Sequence, residues 1–209
     1  MQKGSLIVIS GFAGVGKGTL VKRLLQEYDS YALSISATTR DPRPGETHGK
    51  EYFFLTKEEF EQRIAQDGFI EYASYVGNYY GTPSDYVKSQ LADAKDVILE
   101  IEIQGALQIK EKYPEAVLIY ILPPSAKELE SRLRGRGTET EEKIQARLSR
   151  AAKESEGLEK YDYIIVNDDI DAALLRLHGV IQAAHAAPIR NTELITRIRD
   201  EVKGFSKGE

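Results

Sequence analysis

The sequence of 209 residues contains no cysteine and only three histidines. Without cysteine, the protein has no disulfide, no catalytic thiolate and no zinc–thiolate site. The histidines, His48, His178 and His185, do not form the paired-histidine helix motif of a metalloprotease. These absences exclude several classes of enzyme before any motif is considered.

Long hydrophobic runs are missing as well. The apolar run at residues 6–9 is too short for a signal-peptide core or a membrane span, and no run of spanning length follows. The composition is 41% hydrophobic and 29% charged, with a formal net charge of −5, which is typical of a soluble globular protein. Net acidity argues against general nucleic-acid binding. We therefore expect a cytoplasmic protein with neither a nucleic-acid nor a membrane partner.

The chain alternates between short apolar runs and helical patterns. Strands are predicted at residues 6–9, 97–101, 116–121 and 161–166. A helix is predicted after each strand: at residues 17–28, at residues 104–112, from Ser125 onward, and at residues 170–184. Such alternation predicts an α/β fold with a parallel sheet core flanked by helices.

Two segments interrupt this alternation. Strand signals lie at residues 32–36, 52–55, 69–74 and 75–79. One helix is predicted between them at residues 56–67, where Thr56 and Glu59 form a capping box, so the segment is predicted to be a small α+β insertion. Residues 134–140 are polar and glycine-containing, which suits a mobile lid. The tail at residues 188–209 is predicted either as a short helix or as partly disordered.

A glycine-rich segment joins the first strand to the first helix: Gly11, Phe12, Ala13, Gly14, Val15, Gly16, Lys17, Gly18 and Thr19. In this position, backbone amides curl around phosphate oxygens and the helix N-terminus adds its dipole. Lys17 is predicted to reach the terminal phosphates; the alternative is a flexible loop with a solvated lysine. Gly18 stands where serine or threonine usually ligates Mg²⁺, so Mg²⁺ is expected to be held by phosphates and water.

The predicted insertion contains a second group of anion-binding residues. Arg40 and Arg43 lie on a proline-stiffened turn, and arginine forks match phosphate geometry. Tyr52 and Tyr80 can supply hydroxyl donors. The alternative is an exposed basic loop with surface tyrosines.

Glu71 lies in a strand-like run beside apolar Ile70. A carboxylate that faces inward there can accept from guanine, which offers N1–H and N2–H₂ side by side. Adenine has no such pair and would leave the carboxylate unpaired, a mismatch that discriminates by several kcal/mol. The alternative places Glu71 on the solvent face of an edge strand.

Together these stretches resemble the guanylate kinases, a family of P-loop nucleoside monophosphate kinases. The matching segments follow the family order across residues 4–186: residues 11–19, 36–52, 69–71, 77–81, 100–105, 132–140 and 165–168. The resemblance implies one domain at residues 1–187 with a tail at residues 188–209. Within that domain it implies a core at residues 1–32, 83–134 and 158–187. It also implies a GMP-binding insertion at about residues 33–82 and a lid at about residues 134–157.

The resemblance also implies a GMP site. Its expected residues are Ser36, Arg40, Arg43, Tyr52, Glu71, Tyr80, Gly81, Thr82, Glu100 and Glu102. Ser36, Glu71 and Thr82 are expected to hold the guanine, and the arginines and tyrosines to hold the phosphate. Glu102 is expected on the base side, and Glu100 near the phosphate and metal. These two glutamates are two residues apart at a strand end, so they face the same way at the carboxyl edge of the sheet.

For ATP, the resemblance implies the loop at residues 11–19 together with Arg132, Arg136 and Asn167. The expected catalytic residues are Lys17, Arg40, Arg136 and Arg147, and the expected cofactor is Mg²⁺ with ATP. Arg134 and Arg150 are interpreted as solvated helix charge. Phe12, Ala13 and Gly18 depart from the residues usual in the family, while the backbone cradle stays intact.

The implied reaction is ATP + GMP ⇌ ADP + GDP, which recycles GMP and supplies GTP and dGTP, with dGMP as a further acceptor. Two other hypotheses stay open. A non-catalytic guanylate-kinase-like module would bind a peptide, and a kinase of another specificity would use AMP or a pyrimidine monophosphate. The sequence leaves monomer and homodimer open.

Overall fold

The computed structural model describes residues 4–75, 77–135 and 140–205. In chain order, the elements are β1 (Leu6–Gly11), α1 (Lys17–Glu27), β2 (Tyr31–Leu33), β3 (Ala37–Thr38), β4 (Phe53–Phe54), α2 (Lys57–Ala65), β5 (Phe69–Tyr75), β6 (Asn78–Pro83), α3 (Ser84–Ala92), β7 (Asp96–Glu100), α4 (Ile103–Lys112), β8 (Val117–Leu122), α5 (Ala126–Gly135), α6 (Glu141–Ser155), β9 (Tyr163–Val166), α7 (Ile170–Ala184) and α8 (Thr192–Phe205). These elements form two sheets with helices around them.

The larger sheet has five parallel strands in the order β2-β7-β1-β8-β9. Its three middle strands are buried, and Ile7, Ile98 and Leu118 are wholly inaccessible to solvent. Strands covered on both faces need apolar residues at every position, which explains the continuous runs in the sequence. The predicted α/β architecture is confirmed, and β1 lies at the centre of the sheet with its carboxyl end toward the glycine-rich loop.

The smaller sheet has four strands in the order β4-β3-β6-β5. It has its own cluster of buried residues, in which the Phe60 ring stacks on Phe69 at a centroid distance of 4.3 Å. Phe60 comes from α2, which begins with the predicted capping box: Thr56 Oγ1 accepts from Glu59 N, and the Glu59 carboxylate accepts from Thr56 N. We propose that this sheet and helix are the predicted insertion.

Three local predictions differ from the structure. The strand signal at residues 32–36 coincides with β2 only at residues 32–33, and it ends before β3, which belongs to the smaller sheet. The signal at residues 75–79 is displaced, because β6 runs from Asn78 to Pro83. Helix α3 was not predicted, since only Ser84 and Val87 of its nine residues are buried and its apolar pattern is short.

The ends of the lid and the tail are helical. Helix α5 ends at Gly135 and α6 begins at Glu141, and residues 136–139 of the predicted lid lie outside the described residues. The tail forms α8, so the helical alternative describes residues 192–205, although no residue of α8 is buried. Within the part of the chain that the structure describes, no helix is long and apolar enough to cross a membrane.

Candidate active site

The glycine-rich loop lies between β1 and α1, at the carboxyl edge of the larger sheet. Gly14 and Gly16 have φ angles of 88° and 91°, a left-handed region that favours glycine. A side chain at either position would also collide: a Cβ on Gly14 would lie 2.7 Å from Leu133 Cδ2, and one on Gly16 would lie 2.6 Å from Asn167 Nδ2. Two of the loop glycines are therefore required by conformation and by space.

Side chains from the neighbouring elements fix this loop. Asn167 Nδ2 donates to the Val15 carbonyl at 2.8 Å, and Arg132 Nη1 donates to the same oxygen at 3.3 Å. The Phe12 ring is buried and packs edge-on against Tyr120 at 5.2 Å. The structure thus gives Asn167 a supporting contact with the loop, while its predicted proximity to adenine stays a prediction.

A cavity of about 670 Å³ opens above the loop. It is lined by all of the residues from Gly11 to Thr19 and by Arg147 on α6. The first amides of a helix have no intrahelical acceptor and carry partial positive charge, and α1 begins here at Lys17. Backbone donors and three basic residues, Lys17, Arg147 and Arg150, therefore surround a space suited to a polyphosphate.

A second cavity, of about 720 Å³, lies beside the first and borders the smaller sheet. Its lining contains every predicted GMP-site residue except Thr82: Ser36, Arg40, Arg43, Tyr52, Glu71, Tyr80, Gly81, Glu100 and Glu102. Thr82 contacts the cavity indirectly, because its hydroxyl donates to Glu71 Oε1 at 2.7 Å. The fold brings together residues that lie up to 66 positions apart in the chain.

Arg40 is held in place by a residue that the sequence reasoning missed. Its Nη2 donates to both carboxylate oxygens of Glu46, at 2.9 and 3.0 Å, and its guanidinium carbon lies 5.5 Å from the Tyr52 ring centroid. Partial burial disfavours the charged form, but Glu46 outweighs it and raises the pKa of Arg40. The backbone N–H of Arg43 and the guanidinium of Arg40 lower the pKa of Glu46. The sequence signal that could have indicated this ion pair is the short separation of six positions between Arg40 and Glu46.

Two tyrosines face the same region. The Tyr52 ring meets the Tyr80 ring edge-on at 6.2 Å. Burial raises the pKa of Tyr52, so its hydroxyl stays protonated and can donate to an anion. Arg40, Arg43 and these tyrosines together form an end of the second cavity that is suited to an anion.

Glu71 lies at a buried position of this cavity, with 6% of its surface exposed. Burial raises the pKa of Glu71, and the hydrogen bonds from Thr82 and the charge of Lys112 oppose that shift. Its inward orientation agrees with the expectation from the sequence. A buried carboxylate with one hydroxyl donor can still accept further hydrogen bonds from a ligand.

Gly105 on α4 makes room for this carboxylate. A Cβ at position 105 would lie 2.7 Å from Glu71 Oε2 and 3.3 Å from Ile101 Cδ1. Helix α4 therefore approaches β5 closely only because residue 105 is a glycine. No role beyond the family motif was inferred for it from the sequence.

Since the resemblance implies that GMP binds in this cavity, we expect Gly105→Ala to raise KM for GMP about tenfold, because the added methyl displaces the Glu71 carboxylate. Steady-state kinetics with the acceptor varied would measure it. Gly179→Ala on α7 is the matched control, since a Cβ there meets nothing within 4 Å. An unchanged KM in the Gly105 variant would contradict the proposed importance of this close approach.

The two cavities share three residues: Glu102, Arg150 and Glu154. Arg150, which the sequence analysis interprets as solvated helix charge, thus borders both cavities, and its side chain pairs with Glu102 and Glu154. Arg134, by contrast, is paired with Glu130 and Glu141 on the surface. Arg136 lies outside the described residues.

One carboxylate that could face Mg²⁺, that of Glu100, lies near the glycine-rich loop. Among residues 4–75, 77–135 and 140–205, no group of three or more histidine, cysteine, aspartate or glutamate side chains could hold a metal ion by itself. Glu100 Oε2 lies 4.0 Å from Lys17 Nζ, and a Cβ on Gly18 would lie 4.0 Å from the same oxygen. A single carboxylate facing the start of α1 fits Mg²⁺ that is carried by phosphates and keeps most of its water.

A glycine-rich loop with Lys17, placed between the central strand of a parallel sheet and the following helix, is typical of a P-loop protein. The sequence matches the guanylate kinase family over residues 3–184. The chain therefore belongs to the guanylate kinase family.

Two individual comparisons agree with this assignment. The sequence is 48% identical over 200 residues to a curated guanylate kinase from Caldanaerobacter subterraneus subsp. tengcongensis, covering 96% of this chain and 97% of that protein. The structure is similar to the crystal structure of guanylate kinase from Anaplasma phagocytophilum, with a TM-score of 0.73, 33% sequence identity and 90% of each chain covered.

Proposed function

We infer that this protein transfers the terminal phosphoryl group of ATP to the phosphate of GMP, giving ADP and GDP in a reversible reaction. Membership of the guanylate kinase family supports the reaction. The observation that carries its assignment to this site is the meeting of two cavities: one contains the phosphate loop, and the other contains the buried Glu71.

In this proposal, GMP lies in the second cavity with its guanine near Glu71, Thr82 and Ser36. The Thr82 hydroxyl donates to one oxygen of the Glu71 carboxylate. The carboxylate can accept further hydrogen bonds, and the ligand must supply the donors. Guanine N1–H and N2–H₂ meet that need, and adenine does not. The buried charge thereby discriminates between the purines, because a mismatched base leaves it unpaired.

The phosphate of GMP then contacts the anion-binding end of the cavity, formed by Arg40, Arg43, Tyr52 and Tyr80. Arginine supplies paired donors in a planar fork, and the tyrosine hydroxyls supply single ones. The pairing of Arg40 with Glu46 reduces its freedom before the nucleotide arrives. Glu102 is proposed on the base side of GMP, and Gly81 forms part of the wall.

The phosphates of ATP are proposed to lie on the loop. Backbone amides hold them, Lys17 reaches the terminal phosphates, and Arg132 and Arg147 add positive charge from α5 and α6. Arg136 and Asn167 keep their predicted roles as donor-site residues. Mg²⁺ would supply further charge neutralisation on the phosphates, and Glu100 and Thr19 would face it directly or through water.

No strong general base is needed, because the acceptor is already a phosphate. Catalysis consists of aligning two anions and neutralising the charge that develops between them. Lys17, Arg40, Arg136 and Arg147 are the proposed catalytic cations. Of these, Lys17 and Arg147 line the first cavity and Arg40 lines the second, which agrees with a mechanism of positioning and electrostatic stabilisation.

A parallel assay of acceptors tests this proposal. With ATP and Mg²⁺, we expect ADP release with GMP and dGMP, and a kcat/KM for AMP at least about 100-fold lower. UMP and CMP should give no more than AMP. Turnover of AMP comparable with GMP would contradict the guanine assignment. Absence of turnover with every acceptor, from folded protein, would favour the peptide-binding alternative.

The cytoplasmic location stays a prediction from the sequence.

A further inference from the structure

Arg150 lies where the two cavities meet. Its Nη2 donates to Glu102 Oε2 at 2.9 Å, and its Nε donates to Glu154 Oε1 at 2.6 Å. Glu102 is the N-cap residue of α4, whereas Arg150 and Glu154 are one helical turn apart on α6. The guanidinium therefore joins the helix after β7 to the helix that carries Arg147.

The two carboxylates differ in their surroundings. The Glu102 side chain is 60% exposed and pairs with Arg150, while that of Glu154 is only 11% exposed and contacts both Arg150 and Glu102. Burial raises the pKa of Glu154, Arg150 opposes the shift, and the charge of Glu102 adds to it. The Tyr120 hydroxyl donates to Glu154 Oε2 at 3.4 Å, and Lys153 lines the same cavity.

The charge balance of the second cavity depends on this arginine. Four basic side chains line it: Arg40, Arg43, Arg150 and Lys153. Five acidic side chains line it as well: Glu46, Glu71, Glu100, Glu102 and Glu154. Without Arg150, three cations would face five carboxylates in a space that must accept an anionic nucleotide. Removal would also take away the charge-assisted hydrogen bond that joins Glu102 to Arg150 on α6.

We propose that Arg150 is a positioning residue for the acceptor: it holds the Glu102 carboxylate in place for GMP and offsets the acidic lining of the cavity. This inference rests on the proposed location of GMP. It assigns Arg150 an effect on acceptor binding through Glu102, distinct from the role of Arg147 at the phosphates of ATP.

Steady-state kinetics of Arg150→Gln test the inference. We expect KM for GMP to rise about tenfold, the equivalent of one charge-assisted hydrogen bond, with kcat and KM for ATP changed by less than about threefold. Arg150→Lys should recover part of the affinity, since it restores the charge without the fork. Arg197→Gln on α8, whose exposed side chain pairs with Glu201, is the matched control and should match wild type.

A double-mutant cycle tests whether Arg150 acts through Glu102. Glu102→Gln should raise KM for GMP, and Glu102→Gln combined with Arg150→Gln should raise it little further. Fully additive effects would overturn the positioning role, as would an unchanged KM in folded Arg150→Gln. If Arg150→Gln alone does not fold, Arg150→Gln with Glu154→Gln removes the unpaired carboxylate and must still show the raised KM.

Glu71→Gln, measured in parallel, separates two kinds of failure. If it raises KM for GMP while Arg150→Gln does not, only the role of Arg150 is overturned. If Glu71→Gln also leaves KM for GMP unchanged, the proposed location of GMP is wrong, and the inference about Arg150 falls with it.

Discussion

Glu71→Gln is expected to lower kcat/KM for GMP by about 100-fold or more. The amide keeps one acceptor oxygen but turns an NH₂ group toward the donors of guanine, so at least one charge-assisted hydrogen bond, worth about 1.5–3 kcal/mol, is lost and a donor–donor contact replaces it. Kinetics with GMP varied at saturating ATP would measure the effect. Glu115→Gln, at an exposed position before β8, is the control and should match wild type.

The same substitution should change the pH dependence of GMP binding. Because burial raises the pKa of Glu71, the neutral form persists to higher pH than in a free glutamate, and in that form the group cannot accept both hydrogen bonds. GMP affinity of the wild type should therefore rise with pH through this range. The phosphate of a nucleotide also titrates, near pH 6 by analogy with a phosphorylated side chain, but it does so with both proteins. A wild-type profile parallel to that of Glu71→Gln would contradict the assignment.

Glu71→Gln should lower activity but leave the thermal stability of the protein unchanged or higher. A carboxyl whose pKa is raised by folding contributes stability below its unfolded pKa, and this contribution is lost as the pH rises through the folded value. At neutral pH, the glutamine variant avoids burying a charge, and its Tm should equal or exceed that of the wild type. Thermal denaturation measured beside the kinetics would show that lost activity does not come from unfolding.

Lys17→Met is expected to lower kcat by about 10²–10³-fold, the usual effect of removing one preorganised charge from a transition state. Methionine keeps the apolar stem and the helix propensity at the start of α1, so the backbone cradle should survive. The measurement is ADP release at saturating ATP and GMP. A kcat within about tenfold of wild type would show that the lysine does not act on the transferred phosphoryl group.

Lys22→Met provides the control on the same helix. Lys22 is exposed and lies about 1.4 turns after Lys17, on a different face of the helix. The substitution is therefore chemically the same, but it removes a charge that does not face the loop. Its kcat should equal that of the wild type. Comparable losses in both variants would point to damage to α1 instead of loss of a specific charge.

The sequence by itself determined the features whose signal is local. The apolar runs of β1, β7 and β8 are continuous because these strands are buried on both faces, and that pattern can be read without a structure. The glycine-rich loop was equally readable, since its glycines, Lys17 and the following helical pattern are adjacent in the chain. The capping box at Thr56 depends on residues three positions apart and was correctly predicted.

Only the tertiary structure decided the features that depend on contacts between distant residues. Arg150 looks like any exposed helical arginine, because its partner Glu102 is 48 positions away. Gly105 shows its importance only when α4 packs against the strand that carries Glu71. Helix α3 has too few buried residues to produce a periodic pattern. Local patterns thus specified most of the elements of the larger sheet and the phosphate loop, whereas the packing of one sheet beside the other created the second cavity and its charge balance.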